Sequence, residues 1–285
     1  MDITGKTKLT GLIGSPVAHS VSPQMHNEAF RQLGLDYVYL AFDIADTDLK
    51  TAVEGLKSIG ISGFNITMPH KVRMLELVDD LTDASRIAGA CNTVIVKDGR
   101  FIGHTTDGVG FMRSVSDAGH DIIGKNMTLL GAGGAATAIC TQAALDGVSE
   151  INLFCLTFEH EKAETFAKKV NDNTDCRVQI YDIEDHTLLK YKLEESKILV
   201  NATNVGMAPN VDGCIIPDSS MLHPDLIVSD IIYNPRKTRL YQMAEQVGCP
   251  VFNGMYMLLF QGAASFKCWT GQDMPVEIIR EKYFQ

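Results

Sequence analysis

Lys71 and Asp107 are the two side chains in this sequence best suited to moving a proton. An amine beside a carboxylate can pass a proton to and from a substrate oxygen, the more so if partial burial lowers the amine's pKa. Hydroxyls and amides at suggestive spacings accompany them. Ser20 and Ser22 stand at i and i+2 after a short strand, so in an extended segment both hydroxyls point one way and suit a carboxylate. Asn65 and Thr67 alternate at the end of an apolar strand and can bracket a hydroxyl. Asn92 and Asp107 flank a predicted hairpin that brings them near one place. Gln261 is one polar group in a very apolar helix, and a buried amide needs partners. Each has a plainer reading. Ser22 precedes Pro23 and would cap a helix, Asp107 would cap another, and Lys71 would be a solvated lysine one turn into a helix opened by Pro69. His70 reads as structural.

A second kind of chemistry is written in glycine. An apolar run at 127–130 meets Gly131, Gly133 and Gly134, and a small-residue helical run follows at 135–145. Gly131, Gly133 and Ala136 fit G-x-G-x-x-A, in which the backbone turns sharply and a pyrophosphate approaches the N–H groups of a helix start. A dinucleotide is the natural ligand. Taken alone, the pattern also fits a plain strand-to-helix turn.

The surrounding elements must hold these groups in place. Before the hairpin the periodicity predicts strands at 9–14, 37–44 and 61–67 and helices from Pro23 and over 46–59, a β-α-β-α-β order that implies a mostly parallel sheet. Val94–Val96 and Phe101-Ile102 form the hairpin around Asp98-Gly99, and 107–118 is a helix leading onward. Strands follow at 127–130, 150–155, 177–182, 197–201, 226–231 and 250–252, with helices notably at 134–146, 160–171 and 237–247. This is a doubly wound pattern. The apolar helix at 254–267 lies beyond the last strand and can return to the first domain. The expected fold is α/β: a mostly parallel substrate domain over 1–110, completed by 255–285, and a Rossmann dinucleotide domain over 111–254.

Composition narrows the partners. A net charge of −10 over 285 residues disfavours nucleic acid and anionic membranes. No apolar run spans a bilayer and the N-terminus lacks a signal-peptide core, so a cytoplasmic location is expected. The 7 cysteines are scattered without a C-x-x-C pair, which implies reduced thiols and no metal site. Sheet edges leave room for a homodimer.

Together the motifs resemble the shikimate dehydrogenase family, in particular its quinate/shikimate subgroup, over nearly the whole chain. They include Gly14–Pro23, Asn65–Lys71, Gly89–Thr93, Thr106–Gly108, Gly131–Ala135, Asn201–Thr203 with Gly206-Met207, Tyr233–Pro235 and Gln261–Ala263. The resemblance implies an NAD(P)-dependent oxidoreductase that interconverts shikimate and 3-dehydroshikimate, with quinate a second substrate, in aromatic amino acid biosynthesis or quinate use. It implies that Ser20 and Ser22 hold the substrate carboxylate, with Tyr233 near it. Asn65, Thr67, Asn92 and Gln261 hold the hydroxyls, and Lys71 and Asp107 are the catalytic pair, sited in a cleft between the domains. It places the cofactor against Gly131, Ala132, Gly133, Gly134, Ala135, Phe154, Leu156, Thr157, Glu159, Thr203, Asn204, Ile231 and Gly254. The competing reading, a non-enzymatic sensor of quinate or shikimate, is disfavoured by the presence of both Lys71 and Asp107 and by the lack of a basic extension.

The cofactor preference is read from one segment. NADP-using members of the family carry an arginine after the second strand of the nucleotide domain, and the matching stretch here is Phe154-Cys-Leu-Thr-Phe-Glu159, with Leu156 in its place. No Arg or Lys occurs between Gly131 and Lys162. A 2′-phosphate would lack a bidentate partner, and Glu159 would repel it or accept from a ribose hydroxyl instead. NAD is therefore expected over NADP.

Overall fold

The computed structural model describes residues 2–285. The chain forms two compact units, one running to Gly110 and completed by Leu259–Gln285, the other Phe111–Leu258. Among the described residues no helix is long and apolar enough to cross a membrane.

In the first unit the order is β1 (Lys8–Gly14), α1 (Ser22–Gln32), β2 (Tyr37–Asp43), α2 (Leu49–Ser58), β3 (Gly63–Ile66), β4 (Asp80–Leu81), α3 (Asp83–Ala88), β5 (Thr93–Lys97) and β6 (Arg100–His104). The sheet runs β2-β1-β3-β5-β6-β4. Its first three strands are parallel, whereas β5 pairs antiparallel with both β3 and β6. Asp98 (φ 52°) and Gly99 (φ 73°) turn the hairpin, both in the left-handed region that a two-residue hairpin loop needs. One face buries Ile13, Leu49, Val53, Leu56, Phe64 and Val94 beneath α2. Each such side chain stabilises by about 1.5–3 kcal/mol on leaving water. Another part of the core is aromatic. His26 and Phe30 of α1 and Tyr39 of β2 stack with Phe266 and Trp269, which belong to a C-terminal helix, and the Trp269 indole N–H donates to the Val94 carbonyl.

Two expectations fail locally. Pro69 does not open a helix: the His70 N–H closes a turn onto the Thr67 carbonyl, and the Lys71 carbonyl accepts from the Cys91 N–H. Only a 3-10 turn at Arg73–Glu76 follows, so Lys71 stands on a loop tied sideways to the neighbouring chain. The segment from Ser20 to Ser22 is not extended either. Val21 has helical φ and ψ, Ser22 is the first residue of α1, and the Ser22 N–H donates to Ser20 Oγ. Ser22 therefore caps nothing with its side chain, and the hydroxyl of Ser20 instead satisfies the Ser22 N–H.

The helix α4 (Asp107–Asp117) leads into the second unit. There β7 (Asn126–Leu130), α5 (Gly134–Asp146), β8 (Glu150–Cys155), α6 (His160–Asn173), β9 (Arg177–Asp182), α7 (His186–Glu194), β10 (Ile198–Asn201), β11 (Ile227–Asp230), α8 (Arg239–Val247) and β12 (Val251–Asn253) follow. All strands are parallel in the order β12-β11-β10-β7-β8-β9, the doubly wound arrangement. α9 (Met255–Thr270) and α10 (Val276–Tyr283) end the chain.

Candidate active site

Asp107 is the first residue of α4, where a carboxylate is favoured by the helix dipole. Its Oδ2 receives Lys71 Nζ at 2.6 Å, and its Oδ1 accepts from Asn92 Nδ2 at 2.7 Å. The Lys71 side chain is 23% exposed and that of Asp107 10%, so the pair is sheltered yet open to a ligand. Asn92 cannot turn over. Its Oδ1 accepts from the Thr106 N–H at 2.8 Å, which directs the amide nitrogen at the carboxylate. Asn92 precedes β5 and Asp107 follows β6, and the hairpin register, Thr93 opposite His104, brings the two ends together.

A layer of buried polar side chains supports this pair. Asn65 Oδ1 accepts from the Tyr39 hydroxyl at 2.8 Å, while Asn65 Nδ2 donates to Thr93 Oγ1 and Ser265 Oγ. Ser265 Oγ also meets Thr93 Oγ1 at 2.8 Å and Thr106 Oγ1 at 3.1 Å. Gln261, one helical turn earlier in α9, accepts from Asn92 Nδ2 at 3.4 Å. Ser22 bonds the Tyr39 hydroxyl, whose acidity burial suppresses far above the ordinary range. Thr67 is half-buried, and its methyl lies against Gly14, where a Cβ would come within 2.2 Å of it. His26, stacked on Tyr39 at 4.4 Å, has its pKa pushed down to about 3 by burial and is neutral.

Tyr39, Thr93, Thr106 and Ser265 are members of this network that the sequence reading did not single out. Thr93 and Thr106 stood inside quoted motifs. Ser265 had a signal that went unused: it lies four residues after Gln261, on the same helix face. Gln261 is thus not the sole polar group of α9.

In the second unit the residues selected for the cofactor gather at the carboxyl ends of the strands. Gly131 follows β7, Leu156 follows β8, Thr203 and Asn204 follow β10, Ile231 follows β11 and Gly254 follows β12. An open α/β sheet binds ligands on that edge. Gly131 has φ +104°, and a Cβ there would meet the Ala202 carbonyl at 3.1 Å. Gly133 is the N-cap of α5, and a Cβ on it would meet nothing within 4 Å. That open space, ahead of a helix start carried by Gly134 and Ala135 with Ala132 in the turn, fits a pyrophosphate. At Gly254 a Cβ would collide with the Ile231 carbonyl. Thr203 Oγ1 donates to Asn201 Oδ1 at 2.7 Å, and Asn201 donates to Asp230 at 3.1 Å. Burial pushes the Asp230 carboxyl up to about 6 although Thr238, Ile232 and Asn201 donate to it.

Two of the selected residues also serve the fold. Phe154 is fully buried against Tyr181 in the core, so it offers the site no ring, and its carbonyl accepts from the Gly131 N–H. Glu159 Oε2 accepts from the Leu156 N–H at 3.2 Å within a 3-10 turn, so this carboxylate closes its own loop. Leu156 is 40% exposed and Phe158 82%. Thr157 Oγ1 donates to Asp182 Oδ2 at 2.7 Å. Tyr233 is exposed in the loop after β11. Among the described residues no His, Cys, Asp or Glu cluster could hold a metal.

Comparison with known proteins points one way. Residues 12–94 match the shikimate dehydrogenase substrate binding domain, and 254–282 match the shikimate 5′-dehydrogenase C-terminal domain. A shikimate dehydrogenase (NADP+) of Listeria monocytogenes is 52% identical over 99% of this chain and 97% of its own length. A crystal structure of shikimate 5-dehydrogenase from Listeria monocytogenes, in complex with shikimate and NAD, superposes with a TM-score of 0.95 at 51% identity, covering 99% of this chain and 98% of that one. Quinate dehydrogenase from Corynebacterium glutamicum in complex with NAD gives 0.87 at 29% identity, covering 98% and 99%.

Proposed function

The chain belongs to the shikimate dehydrogenase family and is an oxidoreductase, and on that premise we propose that it interconverts shikimate and 3-dehydroshikimate with a Lys71–Asp107 pair handling the proton. The observation that carries the proposal is Asp107 held between Lys71 and Asn92, each within 2.7 Å. Bound nicotinamide supplies a hydride acceptor. When the substrate C3–H bond gives up its hydride, the C3 hydroxyl must lose its proton as the carbonyl forms. The Lys71–Asp107 pair takes that proton, and in reduction returns it to the forming hydroxyl. Asn92 keeps Asp107 aimed at Lys71.

The remaining selected side chains bind and orient. Asn65, Thr67, Asn92 and Gln261 hold the ring hydroxyls, Ser20 and Ser22 hold the carboxylate, and Tyr233 lies near it. Gly131–Ala135, Leu156, Thr157, Thr203, Asn204, Ile231 and Gly254 line the dinucleotide site, and Glu159 shapes its rim. We assign the substrate role to the first unit and the dinucleotide role to the second. Quinate is a second substrate, supported by the likeness to a quinate dehydrogenase. NAD is the preferred cofactor. Leu156 offers a 2′-phosphate no charge, and no Arg or Lys lies between Gly131 and Lys162. The enzyme serves aromatic amino acid biosynthesis or quinate use in the cytoplasm.

Initial rates with shikimate and quinate, each with NAD and NADP, test this reading. Shikimate with NAD should give the highest kcat/KM. A winning NADP would overturn the cofactor assignment, and tight binding without turnover in any combination would replace the enzyme by a sensor.

A further inference from the structure

A Rossmann unit that uses NAD usually presents an acid about 20 residues after the glycine motif, at the end of the second strand, to meet the ribose 2′-OH. That strand is β8, and its last residue is Cys155, a buried thiol whose pKa burial raises to about 12. The position expected to hold the acid is therefore chemically silent. The next strand supplies a carboxylate at the same level: in the parallel register Cys155 pairs with Asp182, the last residue of β9.

The geometry points to Asp182 as the residue that excludes a 2′-phosphate, and so sets the choice of nicotinamide cofactor. Its carboxylate is built into place. Oδ2 accepts from the Thr157 hydroxyl at 2.7 Å, and Oδ1 accepts from the Glu184 N–H at 2.9 Å. Thr157 lies in the turn that follows β8, so this bond fixes the charge beside the loop that the ribose must contact. The same two donors hold the carboxyl below the usual carboxylate range, and it is ionised at neutral pH. Glu159, the acid closer in sequence, turns one carboxylate oxygen back to the Leu156 N–H. His160, the first residue of α6, is close enough to act electrostatically on Asp182. A phosphate ester on the 2′-oxygen would meet a fixed negative charge with no arginine to offset it.

The inference rests on the NAD reading above, and one experiment separates their failures. Steady-state kcat/KM for NAD and NADP, with saturating shikimate, is measured for the wild type, Asp182→Asn, Thr157→Val and Asp182→Asn with Leu156→Arg. The wild type should favour NAD. Asp182→Asn should raise the NADP/NAD ratio about tenfold, and Leu156→Arg on top of it about tenfold more. Thr157→Val, which keeps the charge but frees it, should move the ratio less than Asp182→Asn. High salt should shrink the wild-type discrimination and leave that of Asp182→Asn nearly unchanged. A wild type that favours NADP would defeat the NAD reading and this inference with it. A wild type that favours NAD, with a ratio unmoved by Asp182→Asn, would overturn the inference alone. So would an equal loss with both cofactors, because that is the mark of a merely structural tether.

Discussion

The two candidate sites of this chain are built in opposite ways. Around Lys71 and Asp107 nearly every polar side chain is buried and bonded to another: Asn65, Asn92, Thr93, Thr106 and Ser265 form one network. At the glycine loop the main chain makes the site, and the side chains that surround it, Leu156 and Phe158, are exposed. The first arrangement is a preformed polar socket in which one removal leaves several partners unsatisfied. The second is a backbone surface that tolerates change wherever no ligand sits. The difference teaches that damage to the first site should spread through the protein, while damage to the second should be confined to affinity for the dinucleotide wherever the backbone is unstrained, as at Gly133.

Lys71→Ala tests the contrast most strongly. It should lower kcat about a thousandfold while leaving dinucleotide affinity near wild type, since a positioned proton-transfer group contributes about 10²–10⁴. Single-turnover rates and dinucleotide titration read the two arms, and retained turnover would remove the proposed role. Ser265→Ala comes next. It strips a shared partner from Asn65, Thr93 and Thr106, so kcat/KM for shikimate should fall about tenfold and stability by about 1–3 kcal/mol, and denaturant unfolding beside the kinetics would show both. A change in stability with no change in kcat/KM would mean that the network only holds the fold.

The glycine pair sharpens the other half. Gly133→Ala should leave the melting temperature unchanged and raise KM for the dinucleotide severalfold, because its Cβ enters space a pyrophosphate needs. Gly131→Ala should cost about 1–3 kcal/mol, because φ +104° suits no other residue and a carbonyl stands 3.1 Å away. Equal effects of the two would blur the distinction.

The smallest effect belongs to Asp230, a carboxylate of the second unit buried and bonded like the socket residues. Its pKa is about 6 in the fold, above the ordinary carboxylate value. As pH falls through 6 the folded protein takes up a proton that the unfolded chain does not yet bind. This group's contribution to stability therefore rises on acidification, is complete below the unfolded pKa, and is a constant cost above 6. Asp230→Asn should flatten that component, worth about 2 kcal/mol between pH 7 and 4, as thermal unfolding across that range would show.

How much could be read without coordinates follows the same division. The strand ends and the glycine loop were legible because they rest on local rules: alternation, small residues and turn chemistry over a few positions. The Rossmann strands at 150–155 and 177–182 fall where Glu150–Cys155 and Arg177–Asp182 stand. Lys71 and Asp107 were legible as residue types, but the bend that carries Lys71 was misread as helix. Its cause is a bond from Cys91, 20 positions on, which no local rule reports. The contacts of Ser265 and the placement of Asp182 escaped for a related reason. The partners of Ser265 lie up to 200 residues away, and Asp182 matters only because the register sets it opposite Cys155.

The unit that holds Lys71 is interrupted in sequence, its last piece beginning at Leu259. On a ribosome, synthesis runs through all of 111–258 before Ser265 exists. Asn65 and Thr93 therefore wait, until the chain is almost complete, for the helix that satisfies them. A chain truncated before Ser265 would leave Asn65, Thr93 and Thr106 without the hydroxyl they share. The buried polar network is thereby reserved for chains whose translation has passed α9.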